Sequence, residues 1–581
     1  MKSIRFLILI FFVAVGFAGI SMFAEPGSGS QDNPAKKTSS VVEEAAAQFR
    51  DIVTDYFNKA KIPGLAAAVV NDKEILWSTV LGVLAKDSAT KVDDHALFSI
   101  QSMTKSFTAL GVLLAVQEGW LDLDTPISEY LPDFRINSRF EKNPEKIITL
   151  RHLLAHRSGI VHDAPFGNTT DLEYDFEKHI NSISDSWLLF PAGYCYSYSN
   201  CGVDLAGYIL QKKSSLAFSK YLEEKVLKPL GMTESSADFE VIEKRPNRAK
   251  GVWRSADPLP VRFSMIPAGG VYSNIRDMAE YLKFHINKGK IGGKTFLRED
   301  LMKEFHSIQY QGIDQKIGPT LGLLRVDVVR PYGLNFAGGG HGFFSWMGMY
   351  PDLKLGFVLL TNSQALDFSA DSFRVIDEII IRHHGSNLNT PPSKDEMVSL
   401  GNKDPRVRYR VGRYGPGSPE IGYQDEKLQI KIYGKTFPLE FFEYRGEIMG
   451  LFGNNMAVKF LPDLGGGRGP MMVYNLIFGN SNQNYYFFND SPFDKPGPDK
   501  AEWDKYLGAY ESVYHGRQVL TETVRRRNGC LYWGEQKLKE YKAGLFFRFD
   551  GWVVDFNGNP PRMGHYSIRP VKSSPEDIQK R

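Results

Sequence analysis

The chain has 581 residues, more than one hydrophobic core ordinarily serves, so about three domains of roughly 100–200 residues are expected. Its 70 Lys and Arg balance 67 Asp and Glu, and nothing in the charge asks for nucleic acid or another polyanion. Three cysteines, Cys195, Cys201 and Cys530, exclude a disulfide-built scaffold and a closed four-cysteine zinc site.

At the N-terminus, Lys2 and Arg5 precede an apolar stretch over residues 6–23, then Ala24 and a Gly/Ser/Pro-rich segment. This pattern predicts an export signal over residues 1–24, with a mature start near Glu25 and a destination in the periplasm or outside the cell. Left uncleaved, the stretch is long enough to anchor the chain, and membrane contact is expected only through it. A flexible linker is expected over residues 25–44.

Residues 41–61 carry helical apolar spacing, with Val42, Phe49, Val53 and Phe57 on one side. Residues 65–70 and 75–84, broken by Asn71-Asp72, predict a β-hairpin. A second hairpin is expected where residues 346–350 and 355–360 flank Pro351-Asp352, followed by a helix over 373–381. Helix, hairpin, large helical insert, hairpin and closing helix make an α/β (α+β) sandwich over residues 45–387, in which terminal helices cover an antiparallel sheet.

Beyond Gly385, Pro391-Pro392 opens a linker, and helical spacing gives way to short alternating runs such as 428–433 and 545–549. Val411-Gly412-Arg413-Tyr414 and Leu507-Gly508-Ala509-Tyr510 suggest an internal repeat. Two small β-rich modules are expected, over residues 400–490 and 500–575, with either a packing or a substrate-gating role. The run Arg525 to Arg527 reads as a solvated strand edge.

Chemistry concentrates in the helical insert. Ser102-Met103-Thr104-Lys105 opens a run, residues 107–116, that is apolar almost all round and therefore buried. A serine at such a helix start gains from the positive end of the helix dipole and from free backbone N–H groups. Lys105, three residues on, shares its face and can take the hydroxyl proton once burial disfavours its charge. Further along, Tyr198-Ser199-Asn200 lies in a turn-rich stretch before a helical pattern. Tyr198 can relay a proton to a leaving group, and Asn200 can hold Lys105 and bind a substrate amide; alternatively the aromatics pack and the Asn caps the next helix. Cys195 and Cys201 fit either a disulfide in an oxidising compartment or small buried thiols. No His-Glu-x-x-His occurs, and no metal or other cofactor is expected.

Over about residues 45–385 the sequence resembles class C β-lactamases, D-alanyl-D-alanine carboxypeptidases, D-aminopeptidases and related esterases, the serine β-lactamase and penicillin-binding protein-like family. FSIQSMTKSFTALGVLLAVQEGWLDLDTPISEYLPDF carries the likeness, with ITLRHLLAHRSGI around His156, the Tyr-Ser-Asn segment, KPLGM at residues 228–232 and PAGGVYSNIRDMAEYL from Pro267, all in order. The resemblance implies the β-lactamase/transpeptidase fold and a serine hydrolase in which Ser102 is acylated while Lys105 and Tyr198 manage protons. It further implies a small-molecule or peptide substrate: a β-lactam, a D-amino-acid peptide such as cell-wall peptide, or an ester.

At the third family motif the sequence departs. Relatives carry Lys-Thr-Gly or His-x-Gly on the strand beside the site, whereas FAGGGHGFFSW puts Phe336-Ala337-Gly338 there. In this register Gly339 supplies the second oxyanion N–H, and no cation awaits a substrate carboxylate. His341, five residues after Phe336, either substitutes for that cation or sits in a loop without a catalytic part. The departure favours neutral esters or amides over carboxylate-bearing substrates. It also leaves open a catalytically weak protein that uses the fold to bind cell wall or a partner.

Overall fold

A computed structural model describes residues 34–571 apart from 168–173, 253–260, 310–315, 364–373, 388–395, 415–418, 464–470, 476–484 and a few shorter stretches between 433 and 565. The export segment at 1–24 and Pro391-Pro392 lie outside the described residues. Helix α1 (Pro34–Ala60) leads into strands β1 (Gly64–Val70) and β2 (Ile75–Gly82). Thus residues 34–44 are helical and not the linker expected over 25–44, in keeping with the helical spacing from residue 41, and Val41 and Ala45 are fully buried against the sheet. In the β1–β2 turn, Asn71 Oδ1 accepts from the backbone N–H groups of Lys73 and Glu74, both at 2.8 Å, which reverses the chain locally.

The helical insert includes α2 (Thr104–Gln117), α3 (Phe176–Ile183), α4 (Asn200–Ser214) and α5 (Ile275–Ile286). Five strands follow: β3 (Ile317–Pro319), β4 (Leu324–Val326), β5 (Gly333–Gly340), β6 (Phe343–Tyr350) and β7 (Leu355–Thr361), then the closing helix α6 (Arg374–His384). The sheet order is β2-β1-β7-β6-β5-β4-β3, every neighbour antiparallel. First and last hairpins therefore meet at the centre, where β1 pairs with β7 from Leu65 against Thr361 to Val70 against Gly356.

Side-chain alternation along β1 assigns two cores. Leu65, Ala67 and Val69 face α1 and α6 with Phe49, Phe357 and Ile380, while Ala66, Ala68 and Val70 face the insert with Val358 and Met347. Phe49 and Phe357 rings lie 5.0 Å apart, and a side chain so buried contributes roughly 1.5–3 kcal/mol. Glu44 ties the two outer helices together by accepting from Arg382 and His383, each at 2.7 Å. This is the β-lactamase/transpeptidase fold.

Two all-β modules complete the chain. Ten strands between Val398–Leu400 and Phe488–Asp490 form one sheet around Tyr414, Ile430, Phe441 and Val458. Eight strands from Gly508–Tyr514 to Tyr566–Pro570 close into a barrel around Trp533, Phe546 and Val554, its first strand pairing with its last. Both repeat segments open with a buried tyrosine, Tyr414 and Tyr510, but one module is an open sheet and the other a closed barrel. On the barrel, Arg525 and Arg527 pair with Glu535, and Arg526 pairs with Asp499 and Asp504. Among the described residues no helix is long and apolar enough to cross a membrane.

Candidate active site

Ser102 stands in a single 3-10 turn, Gln101–Met103, that runs directly into α2. The turn is tight: Gln101 adopts φ +48°, a conformation uncommon for a residue with a side chain, and its amide donates to Ser99 Oγ at 2.7 Å. From Thr104 to Ala115 every residue of α2 is buried, which fixes the helix and hence the turn. Ser102 itself is half-buried.

Lys105 is fully buried, and its Nζ donates to Ser102 Oγ at 3.1 Å and to the Ala268 carbonyl at 2.8 Å. Burial lowers its pKa to about 7, with the Asp204 and Asp163 carboxylates pulling the other way. An amine so placed is free in a large fraction of molecules near neutral pH and can accept the serine proton. None of the lysine's hydrogen bonds goes to Asn200; the Ala268 carbonyl, on the short helix Ile266–Gly269, holds the ammonium in its stead.

The Tyr198 ring lies under the lysine, its centroid 4.8 Å from Nζ, and its hydroxyl interacts with the Ser102 side chain. Burial pushes this phenol far above its ordinary range, and the contact with Ser102 offsets only part of that. Tyr198 is therefore a neutral phenol at neutral pH and a proton donor. Burial thus drives the proton affinities of Lys105 and Tyr198 apart, an arrangement able to separate a proton acceptor from a proton donor. The cap of α4 is Ser199, whose Oγ accepts from Gly202 N–H at 2.9 Å, and Asn200 is the first helical residue, buried beside the site.

Around the tyrosine, His156 lies 4.4 Å from its ring, and burial holds this imidazole well below its ordinary pKa. Its Nδ1 accepts from Ser199 N–H at 3.2 Å, so the ring is neutral with its proton on Nε2. The segment at 161–163 is fastened to the same turn: Ser199 Oγ donates to the Val161 carbonyl at 2.8 Å and Asn200 N–H to the His162 carbonyl at 3.2 Å.

Strand β5 forms the other wall. Its pairing with β4 ends at Asn335, and from Phe336 to Gly340 its described partner is β6 alone. The edge so left borders the Ser102 turn. A methyl group on Gly338 would stand 2.1 Å from the Ile100 carbonyl and 2.9 Å from Ser102 N, so only glycine permits this approach. Gly339, next along, is half-buried beside it. Phe336, two residues before Gly338 on the same strand, is partly buried and packs against the insert core. His341 forms the two-residue β5–β6 turn with Gly342, at φ +48° and +78°, and its ring stacks on Phe263 at 4.5 Å.

Sequence reasoning missed Asp204 and His179, both fully buried behind Lys105. Their identities were visible, but nothing in spacing alone brings residues on α3 and α4 together. It also missed how near the barrel comes. Trp187 meets Tyr541 and Phe547 with ring centroids 5.7 and 5.2 Å apart, and Tyr194 Oη donates to the Pro462 carbonyl of the first β module. A cavity of about 330 Å³ between the domains is lined by Val161, Asp163, Trp187, Trp552, Asp555 and Arg562. Ser102 is not among its lining residues. Cys195, Cys201 and Cys530 are unpaired buried thiols, which decides against the Cys195–Cys201 disulfide.

Comparison with known proteins places the family and the fold. A family model described as Beta-lactamase matches residues 49–379. Beta-lactamase-like protein 2 of Dictyostelium discoideum is 28% identical over 310 residues, covering 51% of this chain and 55% of that protein. Protein flp of Staphylococcus aureus is 25% identical over 252 residues (42% and 50%), and esterase EstB of Burkholderia gladioli 27% over 230 residues (38% and 57%). The chain spans about half the length of the curated relatives it matches. A solved structure of SurE with D-Leu superposes with a TM-score of 0.52 at 20% identity, covering 78% of this chain and 99% of that one. The family comprises serine hydrolases in general, among them β-lactamases, esterases and carboxypeptidases. With more than half its length matched, the chain belongs to the beta-lactamase family.

Proposed function

We propose that this chain is an exported serine hydrolase that forms an acyl-enzyme on Ser102. The observation that carries the reading is the 3.1 Å contact between Ser102 Oγ and a fully buried Lys105 amine with a pKa of about 7. Ser102 Oγ attacks the substrate carbonyl carbon while its proton passes to Lys105, and the carbonyl electron pair moves onto oxygen. The backbone N–H groups of Ser102 and Gly339 take up that oxyanion. When the carbonyl re-forms, the bond to the leaving group breaks and Tyr198 supplies its proton, recovering one from Lys105. Water then repeats the sequence on the acyl-enzyme, with the Tyr198 and Lys105 pair receiving its proton.

Phe336 bears on the substrate. An aromatic ring in place of a cation gives a substrate carboxylate no partner at that strand, which supports neutral esters or amides over penicillins and peptides ending in a carboxylate. The same residue also favours a second reading, a slowly acylating protein that binds cell-wall peptide or a partner. One experiment separates them: the chain from Glu25 onward is incubated with a short p-nitrophenyl ester, a chromogenic cephalosporin and a fluorescent penicillin, and its intact mass is followed. Turnover or an adduct lost in Ser102→Ala supports the hydrolase, and the preferred probe ranks the substrate classes. No adduct with any probe supports the binding protein.

A further inference from the structure

Behind the lysine lies a second buried polar unit that the acyl-transfer steps do not use. Asp204 on α4 and His179 on α3 are both 0% exposed, and Asp204 Oδ2 stands 3.0 Å from His179 Nε2. The other carboxylate oxygen, Oδ1, accepts from Ala268 N–H at 2.8 Å. Ala268 is the residue whose carbonyl receives Lys105 Nζ. A continuous chain thus runs from His179 through Asp204 and Ala268 to Lys105.

The proton count of this pair follows from geometry. His179 Nδ1 lies 2.7 Å from the Phe166 carbonyl, which only accepts, so Nδ1 carries a proton. A carboxylate facing an unprotonated Nε2 at 3.0 Å would set two acceptors against each other, so one more proton lies between them. The pair is therefore neutral as a whole, with its negative end toward Ala268 and Lys105 and its positive end toward α3. Burying an ion pair costs stability unless every remaining donor and acceptor is satisfied, and here each one is.

We infer that Asp204 and His179 are a positioning pair for Lys105: Asp204 pins Ala268 so that its carbonyl meets Nζ, and the oriented charge of the pair sets the balance between ammonium and free amine. This rests on the reading of Lys105 as the base. Burial lowers the lysine's proton affinity, and the nearby Asp204 carboxylate offsets part of that. The other titratable groups facing Lys105 are Tyr198 at 4.8 Å, His156, which is neutral, and Asp163, which stands beside His162 with Nδ1 to Oδ2 at 2.9 Å. Tyr198 reaches the lysine through Ser102, on the substrate side, and Asp204 reaches it through Ala268, from behind.

The test reads Lys105 directly, in the full folded chain labelled with carbon-13 at lysine Cε and assigned with Lys105→Arg. A lysine titrating near 7 stands apart from surface lysines near 10.4. Asp204→Asn keeps both hydrogen bonds, because the amide oxygen accepts from Ala268 N–H and the amide nitrogen donates to Nε2. Its Lys105 midpoint is expected to fall by about half a pH unit or more, and the acid limb of Ser102 acylation to move down with it. His179→Gln holds a donor at the Nε2 position without the positive charge, and its midpoint is expected to rise. Midpoints in both variants within about 0.2 unit of the unsubstituted chain would overturn the inference. Failure of the hydrolase reading shows itself differently: no acyl adduct forms on Ser102, while the lysine midpoints still move.

Discussion

Lys105 Nζ stands 3.1 Å from Ser102 Oγ inside a helix start that is buried from Thr104 to Ala115. A base held one turn from the nucleophile predicts near-complete loss of activity in Ser102→Ala, and a loss of about 10²–10⁴-fold in kcat for Lys105→Met. Ester turnover, with circular dichroism to confirm folding, checks both.

The lysine value also predicts a pH profile. Its free amine is the active form, so kcat/KM should climb as pH rises through about 7 and flatten above it. The sign for stability is the same. Between about 7 and 10.4 the unfolded chain holds a proton that the folded chain has released, so stability relative to Lys105→Met should increase with pH in that window. Thermal unfolding of both proteins across the range measures it.

Acid should unfold the chain through other groups. Burial lowers the pKa of His156 and His285 far below the ordinary value and that of His306 to about 3. A histidine held neutral contributes stability above its unfolded pKa, and that contribution fades as pH falls below about 6.5, at up to about 1.4 kcal/mol per unit for each group. His306→Asn should flatten this acid slope in denaturant titrations.

Gly338→Ala places a carbon 2.1 Å from the Ile100 carbonyl and 2.9 Å from Ser102 N. The strand must retreat from the nucleophile turn, at a cost of about 1–3 kcal/mol of stability. Turnover should fall by about 10²-fold or more as the oxyanion donors separate. Steady-state kinetics beside a urea titration distinguishes the two effects.

Phe336→His should raise kcat/KM for carboxylate-bearing substrates relative to neutral esters, by about tenfold for a gain of about 1.4 kcal/mol. An unchanged ratio across a matched ester and cephalosporin pair would count against the register that places Phe336 at that position.

Much of this molecule was legible in its amino acids. Short apolar runs at 65–70 and 355–360 marked the central strands, and Asn71 marked the turn between the first two. The apolar run after Ser102-x-x-Lys105 marked a buried helix. These are local signals, set by apolar runs, side-chain periodicity and turn chemistry within a few residues. That Phe336 stands where relatives carry a cation came instead from the family resemblance. The first turns of α1, residues 34–40, were not legible, because the apolar spacing that marks the helix begins only at residue 41.

What the sequence determined by itself was the order of the elements and the family, and it singled out Ser102, Lys105 and Tyr198, which the fold brings together. Only the tertiary structure decided what holds the lysine. Asn200 was the nearest polar candidate by motif, yet the Ala268 carbonyl does it, with Asp204 and His179 behind. The physical reason is that a buried amine must satisfy its protons from whatever chain segments packing brings within 3 Å, and those segments lie 25 to 163 residues apart in sequence.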